Sequence, residues 1–89
     1  MARFLILTTF TSQEARLTHR SAHRAHLRDL VDAGTLLMAG PFDDQSGGVQ
    51  IFEANDETEV QELMAKDPFT IEGVFATINI RSWTVVAGS

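Results

Sequence analysis

The stretch Thr11–Gly34, TSQEARLTHRSAHRAHLRDLVDAG, carries a start signal, a stop signal and a helical repeat between them. Thr11 and Glu14 fit a capping box, in which a hydroxyl and a carboxylate three residues apart satisfy free N–H groups at a helix start. Gly34 supplies the left-handed residue that commonly follows a helix end. Leu27, Leu30, Val31 and Gly34 recur at helical spacing and mark a face that packs on a core. The same face, followed back toward the N-terminus, passes through His23, Arg20 and Arg16, with His19 and His26 just to one side. A core-facing stripe that turns cationic halfway along is unusual, because buried charge is costly without a partner. The second half of this helix therefore reads as an anchor and the first half as a site.

The segments on either side read as strands and one more helix. Ala2–Phe10 places Phe4, Ile6, Thr8 and Phe10 on one side and Leu5 and Leu7 on the other, a strand period with two apolar faces. Thr35–Ala39 is a short apolar run broken by Gly40-Pro41, and Phe42–Gly48 holds turn residues. Val49–Ala54 alternates as a strand returning from that turn. Asn55 or Asp56 caps a second helix whose inward stripe is Val60, Leu63 and Met64, followed by Asp67. Pro68 ends it, since a residue before proline avoids the helical region. Val74–Trp83 is the last strand, with Val74, Ala76, Ile78 and Ile80 on one face and Phe75, Thr77, Asn79, Arg81 and Trp83 on the other. A frayed tail is expected over Val85–Ser89. The order βαββαβ is the ferredoxin-like arrangement of the α+β class, a four-stranded antiparallel sheet with two helices on one face. The other sheet face, apolar in strand 1, needs a partner, and a second copy of the chain is the simplest one. Phe75 and Thr77 are expected in that homodimer interface.

Composition narrows the function. The 89 residues suffice for one small core. A net charge of −5 argues against a nucleic-acid surface. There is no cysteine, hence no disulfide or thiolate chemistry. The longest apolar run, Phe4–Leu7, is far shorter than the about 20 residues a membrane span needs, and no secretory signal is visible. A cytoplasmic protein without membrane contact is the default expectation.

Antiparallel helices on one sheet face bring the first half of helix 1 to the end of helix 2, so Arg20 and His23 approach Asp67. A carboxylate at a helix C-terminus meets the negative end of the dipole, about 0.3–1 kcal/mol unfavourable, and calls for a cationic neighbour. A His oriented by an Asp is a common general base. The same trio also serves as a mere tie between two helices. His19, His23 and His26 share a face and are imidazole ligands in principle, but the interleaved Arg16, Arg20 and Arg24 repel a cation, so no metal and no cofactor are expected. The arginines Arg16, Arg20, Arg24 and Arg28 form a possible anion site, with Arg24 and Arg28 read as solvated or paired to Asp32 and Asp29. Phe69 and Trp83, read by residue type alone, are packing residues.

Arg20-x-x-His23, Gly34-x-Leu36-x-x-Ala39-Gly40-Pro41, Asp67-Pro68-Phe69 with Gly73, and Arg81-Ser82-Trp83 together resemble the YciI-like family of small bacterial proteins. The resemblance spans nearly the whole chain, so residues 1–89 are expected to form one YciI-like domain. It implies a dimeric α+β barrel, with a catalytic His–Asp pair that falls on His23 and Asp67. It places Arg20, Pro41 and Phe69 along the substrate pocket, and the short Pro41–Gly48 loop reduces the wall there. It suggests a cofactor-independent lyase or isomerase that transfers a proton on a small oxygenated ring compound. A non-catalytic homodimer binding a small-molecule ligand in the same pocket is the alternative.

Overall fold

The computed structural model describes residues 1–88; Ser89, the end of the expected tail, lies outside them. The alternating apolar segment forms β1 (Ala2–Phe10), followed by α1 (Gln13–Asp32), β2 (Leu36–Pro41), β3 (Gly47–Ala54), α2 (Glu57–Ala65), α3 (Pro68–Ile71) and β4 (Phe75–Trp83). The strands lie in the order β2-β3-β1-β4, and every neighbouring pair is antiparallel. This is the expected ferredoxin-like α+β sheet, with one addition. Pro68 does not simply end the second helix; it opens α3, a single turn that the sequence reading did not include.

The caps explain where the helices begin and end. Ser12, not Thr11, caps α1: its hydroxyl accepts from Ala15 N–H at 3.1 Å. Thr11 instead donates its hydroxyl to the carbonyls of Gly73 and Val74, tying the start of α1 to the approach to β4. At the far end Gly34 adopts φ +80, its N–H reaches Val31 O and Thr35 N–H reaches Leu30 O. These two bonds make a Schellman stop, as the glycine implied. Asp56 caps α2 by accepting from Glu59 N–H at 2.9 Å. The β2–β3 turn is held by Asp44, whose carboxyl is kept below its ordinary pKa by accepting from the hydroxyl and N–H of Ser46.

One side of the sheet is covered. Phe4, Ile6, Leu36, Phe52, Ala54, Val60 and Met64 form the core, with Leu27, Leu30 and Leu63 packed against it. Val31, expected on the packing stripe, is 47% exposed, because the helix leans on the sheet through Leu27 and Leu30. The other side carries Leu5 and Leu7 of β1 beside Val49 and Ile51 of β3, all half-buried and with no helix over them. Phe75 was expected on that open side and is not there. The β1–β4 register shifts between Thr9 and Phe10, so Thr9 faces Thr77 while Phe10 faces Phe75. The skipped residue turns Phe75 to the helix-covered side, as a bulge must in a two-residue repeat.

Along the covered side the chemistry changes. Below α2 the sheet presents Phe4, Ile6, Phe52 and Ala54; toward the start of α1 it presents Thr8 and Gln50, both buried. The apolar core therefore gives way to a polar floor at one end of the helical layer. No helix among the described residues is long and apolar enough to cross a membrane.

Candidate active site

The polar end of the layer encloses a cavity of about 220 Å³. Its floor is Thr8, Gln50 and Phe75 of the sheet; its walls are Arg16, Arg20, His23, Arg24 and Leu27 of α1, Pro41 of β2, and Phe69 of α3. Of the residues expected at a site, Arg20, His23, Pro41 and Phe69 line this cavity, and Asp67 lies behind His23 with 1% exposure. A more open depression of about 300 Å³ runs beside it past Leu27, Val31 and Leu36, and has no imidazole or carboxylate on its walls.

Asp67 reaches its place for a reason opposite to the expected one. The α2 helix ends at Ala65, with Lys66 as its cap, and Asp67 follows just outside it, its N–H reaching Met64 O. It is the N-cap of α3, accepting from Phe69 N–H at 2.9 Å. Pro68 occupies the first helical position, where its missing N–H costs nothing. Gly73, at φ +68, closes the turn: its N–H reaches Thr70 O, and Val74 N–H reaches Phe69 O. The Asp67-Pro68-Phe69 sequence with Gly73 is thus one capped helical turn. It delivers a carboxylate and an aromatic ring to the same point.

Both meet His23. Asp67 Oδ1 lies 2.6 Å from His23 Nδ1. A carboxylate accepts, so the proton between them is carried on Nδ1. The Phe69 ring stacks flat on the imidazole, with centroids 3.7 Å apart and planes within 2°. Phe75 stands edge-on at 6.0 Å on the same side as Phe69, whose ring it meets at 5.5 Å. The imidazole is held by one hydrogen bond and two rings, and the His23 side chain retains 12% exposure. Phe69 is therefore a stacking surface for His23 as well as a packing residue, which residue type alone did not suggest. With Nδ1 committed to Asp67, the ring has Nε2 left to offer.

Arg20 lines the cavity without bonding to Asp67; among the described residues its guanidinium pairs with no carboxylate. His19 lies 3.9 Å from Glu72, apart from His23, and among the described residues no cluster of three His, Cys, Asp or Glu converges as metal ligands do. The cavity also recruits Arg16 and Gln50. Gln50 shares its strand face with Phe52 and Ala54, so a polar residue on a core-facing parity was the signal that could have found it.

The chain and its fold are similar to known proteins. A YCII-related domain model matches residues 2–84. The Bacillus subtilis protein YjpA is 31% identical over 83 residues, 93% of this chain and 95% of its own length. An Emericella nidulans protein, derivative of benzaldehyde biosynthesis cluster protein C, is 34% identical over 67 residues, 63% of this chain and 68% of its own. Among solved structures, 5-chloro-2-hydroxyhydroquinone dehydrochlorinase (TftG) from Burkholderia phenoliruptrix AC1100, in complex with 2,5-dihydroxybenzoquinone, superposes with a TM-score of 0.78. It is 29% identical, and the match covers 92% of this chain and 93% of that one. With a family match running from the first residue of β1 to just past the end of β4, this chain belongs to the YCII-related domain family.

Proposed function

We propose that this protein is a cofactor-independent lyase or isomerase that uses His23 and Asp67 to move a proton on a small oxygenated ring compound. The 2.6 Å contact between Asp67 Oδ1 and His23 Nδ1, with the imidazole forming part of a cavity wall, carries this reading. Asp67 holds the Nδ1–H tautomer, so Nε2 of the neutral ring is the base. It takes a proton from a substrate O–H or C–H, and Asp67 stabilises the imidazolium that forms. In an elimination the freed electron pair becomes a new π bond as the leaving group departs with its own bonding pair. In an isomerisation the proton returns to another atom of the same molecule. Arg20 balances the negative charge that builds on substrate oxygen. The dehydrochlorinase similarity supports the elimination variant, since dehydrochlorination removes a proton and a chloride from one molecule.

Chloride release from chlorinated hydroxyhydroquinones, followed with an ion-selective electrode, tests the reading. Wild-type protein is expected to release chloride, and His23→Ala and Asp67→Asn are each expected to lower kcat by about 10²-fold or more with circular dichroism unchanged. Undiminished turnover in either variant would remove the pair from the mechanism. Binding of these compounds without any chloride release would leave a ligand-binding protein and no lyase of this class.

The same reading includes a homodimer. Leu5, Leu7, Val49 and Ile51 are an apolar stripe on the uncovered sheet side, and a second copy of that stripe matches it in polarity.

A further inference from the structure

We propose that Arg16 is the anion-holding residue of the cavity, and that the ligand is a single-ring molecule carrying a carboxylate or comparable exocyclic anion. This rests on the cavity being the ligand site, as proposed above, and not on His23 acting as a base. Arg16 is the one buried cation of the chain's described residues, with 5% exposure. No carboxylate pairs with it: the ion pairs among the described residues join Arg3 to Glu53, His19 to Glu72 and His23 to Asp67. A guanidinium has five N–H donors and no acceptor. One donor bonds Gln13 Oε1 at 3.3 Å, and one face of the group lies over the Phe10 ring at 5.3 Å. Those two contacts fix its position without neutralising it, and the group forms part of the cavity wall.

A buried guanidinium with no counter-charge among the described residues is organised for a planar, two-oxygen anion, whose geometry its paired N–H groups match. The surroundings agree. Arg16, Arg20 and Arg24, three of the seven basic residues in a chain of net charge −5, line this cavity, and no Asp or Glu does. Positive potential is therefore concentrated where the molecule is otherwise acidic, which draws anions in. The cavity is small beside typical ligand sites of about 300–1,000 Å³, and Phe10, Leu27, Phe69 and Phe75 give it apolar walls. One ring with a charged substituent fits that combination; a nucleotide or a peptide exceeds it. Gln50, 4% exposed and with its Oε1 unpartnered among the described residues, adds a polar group on the cavity floor.

Isothermal titration calorimetry of the full chain with benzoate and with neutral benzamide is the test. Benzoate is expected to bind about tenfold or more tighter than benzamide, the ratio appropriate to a charge-assisted contact. Arg16→Gln is expected to erase that preference, Arg16→Lys to retain part of it, and Arg28→Gln, outside this cavity, to keep it whole. Thermal unfolding verifies that each variant is folded, and Arg16→Lys carries the test if Arg16→Gln is not. Equal affinity for the two probes, no binding of benzoate, or an undiminished preference in the folded Arg16 variants overturns the proposal. His23→Ala separates it from the catalytic reading. An unchanged benzoate preference in that variant supports an anion site independent of the pair. A preference that vanishes in His23→Ala and survives in Arg16→Gln overturns the Arg16 assignment and leaves His23 in its proposed place.

Discussion

Asp67 carries two loads with one oxygen. Its Oδ1 accepts from both His23 Nδ1 and Phe69 N–H, while Oδ2 is buried and has no partner among the described residues. The two loads separate by substitution. Asn keeps an oxygen able to accept and remains among the best capping residues, so Asp67→Asn is expected to change unfolding free energy by about 1 kcal/mol or less. Ala removes the acceptor and strands a buried N–H on Phe69 and another on His23, at a cost of about 1–3 kcal/mol. Urea unfolding of the two variants checks this; equal losses would mean that the charge, and not the acceptor, holds the turn. In an NMR spectrum of the parent chain, the Nδ1–H proton of His23 is expected far downfield as a short hydrogen bond to a carboxylate, and absent from that position in Asp67→Ala. The inward stripe of α1 was enough to nominate His23 and Arg20, because helical spacing puts Leu27, His23 and Arg20 on one face. Arg16 lies on that stripe too, yet nothing local distinguishes a buried guanidinium from a solvated one. Its burial depends on Phe10, Gln13 and the sheet beneath.

Among the elements, the turn from Asp67 to Gly73 has the largest functional consequence for its size. Four helical residues between an Asp cap and a left-handed glycine set the carboxylate and the stacking ring against one imidazole. Gly73 has φ +68 and open space where a Cβ would stand, so a side chain there is opposed by backbone conformation and not by a clash. Gly73→Ala is expected to destabilise by about 1–2 kcal/mol and to lower activity or ligand binding, since the turn that relaxes holds Asp67 and Phe69. Gly34→Ala, with φ +80 and equally open space, is expected to cost the same about 1–2 kcal/mol and leave the site unaffected, because it ends α1 far from the cavity. Thermal melts alongside activity distinguish the two. Of the two glycines, only Gly34 follows a helical repeat that marks it as a stop. The α3 turn is too short for a helical repeat to show, and in the sequence alone the order Asp-Pro reads as an ending. Phe75 was misplaced for a similar reason: a strand's two-residue pattern contains no mark of the skipped position that turns it over.

At the scale of the whole molecule, the uncovered sheet side is the feature left for assembly. Leu5, Leu7, Val49 and Ile51 keep partial exposure there, with Met38 at 59% and Trp83 at 40% exposure among the large apolar residues left accessible. Light scattering on a sizing column at micromolar concentration is expected to return twice the 9.8 kDa chain mass, and Ile51→Lys, on the uncovered side of a central strand, is expected to return the monomer with its fold intact. A monomer in the parent chain would remove the homodimer from the proposal. The architecture was readable because it depends on local rules: two-residue alternation makes strands, a 3.6-residue stripe makes helices, and the order βαββαβ leaves few ways to connect them. The same rules bring the end of the second helix toward the first half of α1, but Asp67 meets His23 as the cap of α3 and not from a helical stripe. What only tertiary structure decided is which groups are buried, bonded or left open once they converge. Asp67 is the cap of a helical turn, where the sequence alone suggests a charge at a helix end. Phe69 is a stacking surface, and Arg16 a buried cation with no carboxylate partner among the described residues. Each of those outcomes depends on distances between residues far apart in the chain, and periodicity along the chain carries no record of them.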